Sequence, residues 1–266
     1  NTIMKKALLI LALLLFSTIA FSQNDLYLIF EFMKVDNEQE NAYQETEAFW
    51  EKIHQARANS GDILGWDLWA LRPGGEDQQF QYLTVTLFDN AKAMFGDGNF
   101  LENVRKAYPS MSDEELTKTF NNTAKTRDLA VRIYLEQIAV TEDNFDMPLG
   151  TIAFINSMKV DLGNYTAYEK AETEVFQPMH QKDVNDGKRA SWGLLRFMVP
   201  VGSDTYASHF AVDMFKDLDQ ALSYVSGGGD MGTLTEAQQK AIQDGLATRD
   251  LKWVSMATLI RKVRKQ

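Results

Sequence analysis

Apolar residues along this chain fall into short runs separated by polar stretches with helical spacing, and the order of these segments recurs. An apolar run rich in Ile, Phe and Val from Leu26 to Val35 reads as a strand, and the amphipathic stretch from Glu40 to Ala58 reads as a helix stopped by Asn59-Ser60-Gly61. Two further strands, Ile63 to Arg72 and Phe80 to Phe88, flank the turn residues Pro73 to Asp77 and predict a hairpin. Helical pieces follow, one opening on the capping-box pattern Ser112-x-x-Glu115, and Leu129 to Val140 closes the unit as a strand. The second half repeats the plan. Its strands are Thr151 to Val160, Ala190 to Met198, Tyr206 to Phe215 and Leu251 to Arg261, with a helix from Tyr165 to Asn185 and a second capping box at Thr235-x-x-Gln238. The order β-α-β-β-α-β is the ferredoxin-like unit.

The halves also repeat in residues, at an offset of about 125. Phe32 to Asp36 ("FMKVD") matches Ser157 to Asp161 ("SMKVD"), and "ETEAF" at Glu45 matches "ETEVF" at Glu172. Further on, Ile53-His54-Gln55 matches Met179-His180-Gln181, Trp66 matches Trp192, and "TRDL" at Thr126 matches "TRDL" at Thr248. The expected division is a first repeat over residues 23–146 and a second over 147–266. Strand residues such as Leu28, Ile29, Phe30, Phe32 and Met33 are apolar on both parities, so both sheet faces are expected to be buried. Helices cover only one face. The other is expected to meet the second copy's sheet, giving an α+β fold in which two repeats pack sheet to sheet as an intramolecular barrel.

Ahead of the repeats, Lys5 and Lys6 precede the apolar run Ala7 to Phe16, and Ala20-Phe21-Ser22 supplies small residues. This pattern predicts a signal peptide over residues 1–22 and a periplasmic or secreted product with no membrane association after cleavage. The formal net charge is −10, and cleavage removes two lysines and no acid. With no lysine- or arginine-rich stripe beyond Arg261 to Lys265, nucleic acid is not an expected partner. The absence of cysteine excludes thiolate metal sites, cysteine nucleophiles and disulfides.

Candidate chemistry lies on the first helix of each copy. Tyr43, Glu47, Trp50 and His54 form one helical stripe, and His180 occupies the site of His54 with Pro178 two residues before it, a proline expected to kink that helix at the carbonyl of Glu174. His54 and His180 suit a general base or an orienting group, or a plain hydrogen bond to a carbonyl or solvent. Trp66 and Trp192 suit core packing or orientation of a ligand carbonyl through the indole N–H. Arg127 and Arg249 suit pairing with Asp128 and Asp250 or anchoring of a ligand carboxylate. Glu31 interrupts the first strand, with Asn156 as its counterpart, and would be a candidate acid or base if it faced the barrel interior. His209 and Asp213 replace Tyr82 and Thr86, but they sit too far apart along a strand to chelate one ion, and no metal site is expected. Gly227 to Asp230 resembles a phosphate loop only in its glycines, since no lysine follows in P-loop spacing.

The repeated order resembles the dimeric α+β barrel superfamily, which includes antibiotic-biosynthesis monooxygenase-like, stress-responsive and chlorite dismutase-like proteins, here as a tandem fusion. "FWEKIHQ" before "GWDLW" and "FQPMHQ" before "SWGLL" are similar to a group of exported bacterial tandem-barrel proteins. That resemblance brings no reaction with it. Two functions stay open. One is binding of a small, mostly apolar ligand between helix and sheet by His54, Trp66 and Arg127, or by His180, Trp192 and Arg249, with no cofactor and with homo-oligomerisation open. The other is a barrel enzyme, monooxygenase-like or haem-using, acting on an aromatic or tetrapyrrole-like substrate through His180, His54 or Glu31.

Overall fold

The computed structural model describes residues 26–36, 38–72, 79–227 and 234–266. The expected signal peptide, the "PGGED" turn and most of the Gly227 to Asp230 run lie outside the described residues.

The first copy runs β1 (Tyr27–Lys34), α1 (Glu40–Ser60), β2 (Gly65–Arg72), β3 (Tyr82–Phe88), α2 (Ala91–Phe95), α3 (Phe100–Ala107), α4 (Asp113–Thr123) and β4 (Asp128–Val140). The second runs β5 (Ile152–Lys159), α5 (Tyr165–Ala171), a π-helical turn (Glu172–Phe176), α6 (Gln177–Asn185), β6 (Ser191–Val199), β7 (His209–Phe215), α7 (Leu218–Gly227), α8 (Glu236–Leu246) and β8 (Asp250–Arg264). Gly61, and Gly187 at the matching place in the second copy, act as glycine C-terminal positions at φ of 82° and 71°. Both capping boxes are made, with Ser112 and Thr235 accepting from the third helical amide and receiving Glu115 and Gln238 in return.

All eight strands close one antiparallel barrel in the order β1-β3-β2-β8-β5-β7-β6-β4. The two copies therefore meet edge to edge as well as across the core. The last strand of each copy bridges them, because β4 pairs with both β1 and β6, and β8 pairs with both β5 and β2. The period-2 rule then sorts the apolar positions that the sequence shows on both parities. Phe30, Phe32, Trp69, Leu83, Val85, Leu135, Leu195, Phe197, Phe210 and Leu259 fill the interior as one cluster. Trp66, Leu68, Trp192 and Leu194 point outwards and belong to the layers beneath the helices.

The His-Gln motif shared by the copies has a mechanical role here. Gln55 Nε2 donates to the Arg264 carbonyl at 2.8 Å, at the end of β8, and Gln181 donates to the Glu142 carbonyl at 2.9 Å and accepts from its amide at 2.7 Å, just past β4. Each glutamine also donates to an asparagine one turn on, Asn59 or Asn185. Thus each histidine-bearing helix clamps the last strand of the other copy.

Candidate functional site

Each histidine lies on the tryptophan with which it is paired in the sequence. His54 stacks on Trp66 with ring centroids 4.9 Å apart and an interplanar angle of 13°, and His180 lies 4.7 Å from Trp192 at 31°. The stacking follows from geometry: the helix stripe faces the sheet, and the outward parity of β2 and β6 brings an indole up to meet it. Burial, with Arg57 and Arg127 beside it, holds His54 well below the usual histidine range. Burial, with Arg189 and Arg249 nearby, brings His180 down to about 3. Both imidazoles are neutral at physiological pH. They are therefore weak bases, suited to accept or donate a hydrogen bond rather than to hold a proton. Because an arginine can only donate, the 3.3 Å contact from Arg57 Nη1 makes His54 Nδ1 the acceptor and leaves the proton on Nε2.

Arg127 and Arg249 do not pair with the adjacent aspartates. Arg127 binds the Glu47 carboxylate, and Arg249 Nε donates to Glu172 at 3.1 Å. Each guanidinium also lies over an aromatic ring, Trp50 at 5.8 Å for Arg127 and Phe176 at 5.3 Å for Arg249. Glu47 is 1% exposed. Burial pushes its carboxyl up to about 7 even with Arg127 against it, and Glu172 is raised for the same reason. Tyr43 and Tyr168, one turn earlier, are pushed above the tyrosine range by burial and by these glutamates. A buried Tyr-Glu-Arg group is thus built twice. Glu47 stands in the helical stripe, but its role is hidden in the sequence, because the "ETE" match sets Glu45 against Glu172. The shared signal is Tyr-x-x-x-Glu, at Tyr43 and Glu47 and again at Tyr168 and Glu172.

The π-helical turn explains the changed offset. Gln177 N–H bonds back to Glu172 O, five residues away, so one extra residue is absorbed between Glu172 and Phe176. Phe176 then takes the place of Trp50, and Pro178 stands just beyond the turn. The expected disruption at Pro178 is therefore a local widening that returns the helix to register for His180.

Glu31 faces outwards, not into the barrel, because its neighbours Phe30 and Phe32 take the interior parity. Arg132 Nε donates to it at 2.8 Å and Thr84 at 3.3 Å, so it is an ion-pair partner on the sheet surface. Its counterpart Asn156 donates to Asp213 at 2.9 Å. Asp213 also binds Arg189, which is 3% exposed and reaches Tyr224 as well. His209 is fully buried between Ser208 Oγ at 3.0 Å and Glu169 Oε1 at 3.1 Å. Among the described residues no group of three or more His, Asp or Glu is arranged to hold a metal ion. The histidines also fit haem poorly. An axial imidazole needs a broad slot beside a ring nitrogen, whereas His54 and His180 lie against indoles, His209 has both nitrogens bonded, and the barrel interior is filled by Phe30, Phe32, Phe197 and Phe210.

Both copies leave buried polar atoms unpaired among the described residues, Tyr168 Oη, Arg189 Nε and Thr258 Oγ1 in the second, and Tyr43 Oη with three further atoms in the first. Trp50 Nε1, Arg57 Nε and Asn103 Oδ1 are buried polar atoms without a hydrogen-bond partner. Two of these residues meet His54, since Trp50 stacks 6.0 Å from it and Arg57 touches it, while Asn103 donates through Nδ2 to Asp62 just past the end of α1. Beside them Phe49, Phe100, Tyr108 and Phe120 form a partly buried aromatic cluster between α1, α3 and α4. A groove lined by Lys52, Gln55, Asn59 and Lys106 runs along the opposite face of α1 and does not reach His54. Buried donors cost free energy unless something accepts from them, so this arrangement suits a ligand with an apolar body and an acceptor group.

No family model matches the sequence, and no curated protein matches it. Solved structures do match in fold. A putative monooxygenase from Lactobacillus acidophilus NCFM is 9% identical with a TM-score of 0.57, covering 91% of this chain and 97% of its own. A putative monooxygenase from Fusobacterium nucleatum is 11% identical with a TM-score of 0.57, covering 92% and 96%. An anthrone oxidase-like protein is 11% identical with a TM-score of 0.55, covering 91% and 94%. At these identities the likeness speaks for the fold alone, and with the closed eight-stranded sheet it shows that the chain has the dimeric α+β barrel architecture, formed by its own two halves.

Proposed function

We propose that the protein is an exported barrel that binds a small, largely apolar molecule between helix and sheet in its first copy, at Trp50, His54 and Trp66. One observation carries this reading: the indole N–H of Trp50 is buried without an acceptor beside a neutral histidine and a half-buried aromatic cluster. Native interiors rarely keep such a donor, and those they keep commonly serve a water or a ligand. Arg127 holds Trp50 and Glu47 in place rather than meeting the ligand. Export rests on the Lys5-Lys6 and Ala7 to Phe16 pattern, and N-terminal sequencing of secreted or periplasmic material, beginning after Ser22, is its check.

The test of binding uses naphthol as a neutral aromatic probe, with the Trp50 indole ¹⁵N–¹H signal assigned through Trp50→Phe. A saturable shift of that signal, weakened in His54→Ala, supports the reading. A shift confined to other tryptophans, or none, overturns it. The enzymatic alternative draws on the fold shared with proteins named as monooxygenases and as anthrone oxidase-like. Fold does not carry reaction. Turnover of an anthrone-type or other aromatic substrate by purified protein would favour it, and a Soret band on haem addition would favour its haem-using form.

A further inference from the structure

Arg57 differs from the other arginines packed between helix and sheet. Arg127, Arg189, Arg249 and Arg264 each hold a carboxylate, whereas among the described residues Arg57 makes no ion pair. Among the described residues the one hydrogen bond of its guanidinium is the 3.3 Å contact with His54, and its Nε, like that of Arg189, is buried without a partner. The two carboxylates whose charge reaches it are engaged elsewhere. Asp62 accepts from the Asn99 amide at 2.9 Å and from Asn103 Nδ2 at 2.6 Å, which fastens the start of α3, and Glu31 is bound by Arg132 and Thr84. The second copy makes the opposite choice at this place. Its residue is Asp183, which accepts from Tyr224 Oη at 3.3 Å and lies 3.9 Å from Arg189. Charge at this helix position is therefore inverted between the copies, and only the cationic version is left open.

A half-buried guanidinium without a counter-ion is costly, and a carboxylate is the group that matches its planar fork of donors. Trp50 stands two turns before Arg57 on the same face of α1, so its unpaired indole N–H is a further donor for such an anion, while Phe49, Phe100 and Phe120 would receive an aromatic or alkyl body. Resting on the site proposed above, we infer that the ligand is an aromatic or aliphatic carboxylate whose acid group is bound by Arg57.

The experiment compares naphthoate with its neutral isostere naphthamide on the full chain at pH 7 by calorimetry. Naphthoate is expected to bind at least about tenfold more tightly, as a charge-assisted pair implies, with the preference lost in Arg57→Gln and partly restored in Arg57→Lys. Circular dichroism melting of each variant checks the fold, and the wild-type comparison decides even if Arg57→Gln does not fold. Equal binding of the two probes in the wild type overturns the carboxylate inference and leaves the site reading standing. Binding of neither probe removes both. Equal weakening of both probes by Arg57→Gln makes Arg57 a packing residue and overturns the inference.

Discussion

The histidine-bearing helices of the two copies share a frame and treat buried polarity in opposite ways. Where the first copy places Ile63 and Thr86, the second places Arg189 and Asp213 as an ion pair beneath Tyr224. Where the first places Trp50 and Arg57 with unpaired donors, the second places Phe176, packed on Gly245, and Asp183. The close approach is severe, since a Cβ on Gly245 would lie 2.9 Å from the Phe176 ring. At these positions the second copy pairs its charges, although Arg189 Nε stays unpaired, and the first leaves the Arg57 guanidinium without a carboxylate and the Trp50 N–H without an acceptor among the described residues. Duplication allows this division, because one half can hold the barrel closed while the other departs from best packing.

The largest expected effect comes from breaking the second copy's solution. Arg189→Ile leaves Asp213 buried beside Asn156 without its cation, and should cost about 3–5 kcal/mol in denaturant unfolding. Adding Asp213→Thr, so that the second copy carries the first copy's residues, should restore most of that loss, since a buried ion pair replaced by packed neutral groups is often close to neutral. Failure of the double variant to recover would mean that Arg189 supports Tyr224 and α7 more than it neutralises Asp213.

The acid and neutral limbs of the pH profile compare the histidines with Glu47. Both histidines have folded values below the unfolded one, so their contribution is complete above about pH 6.5 and is lost as pH falls towards the folded values, about 3 for His180. Glu47 works the other way. Its folded value of about 7 lies above the unfolded one, so the folded state holds the extra proton, and stability falls as pH rises from about 4.5 to 7. His180→Gln should flatten the acid limb, and Glu47→Gln should flatten the decline towards neutrality. A Glu47→Gln profile parallel to wild type across that window would show that Arg127 keeps the carboxylate ionised throughout.

Smaller effects are expected at the seams. Gln55→Ala and Gln181→Ala each remove a clamp on the other copy's last strand, and each should lower stability by about 0.5–1.5 kcal/mol. Hydrogen exchange should rise first at the ends of β8 and β4, respectively. Exchange confined to the helix carrying the substitution would mean that the clamp belongs to the helix and not to the seam.

The fold is legible in the sequence because repetition, strand parity, caps and Gly stop signals are local. Leu28 through Met33, apolar on both parities, are enough to call for two buried faces. The seams are less legible: pairing of β4 with β6 and of β8 with β2 depends on long-range closure, which no local pattern encodes. Within the site, His54 with Trp66 and His180 with Trp192 come together as the spacing implies. The partners of Arg127 and Arg249 do not follow from it, because adjacent aspartates are the nearer acids in sequence while the glutamates arrive by helix packing. The facing of Glu31 is equally hidden, since a single polar residue in a run apolar on both parities does not say which face is in. Arg57 carries no sequence signal apart from its mismatch with Asp183.

The smallest expected effect on stability is the sharpest test of the contrast between the copies. Trp50→Phe gives the first copy the second copy's residue. It keeps an aromatic ring near Arg127, Phe100 and Phe120, and it deletes a buried N–H that has no acceptor. Removing an unsatisfied donor offsets the packing lost with the larger ring, so unfolding free energy should change by less than about 1 kcal/mol in either direction. Affinity for naphthol and naphthoate should fall together by about tenfold, because one hydrogen bond to the ligand is gone while Arg57 still sets the preference for the acid. A stability loss of several kcal/mol with unchanged affinity would assign Trp50 to packing and return the first copy to the same structural role as the second.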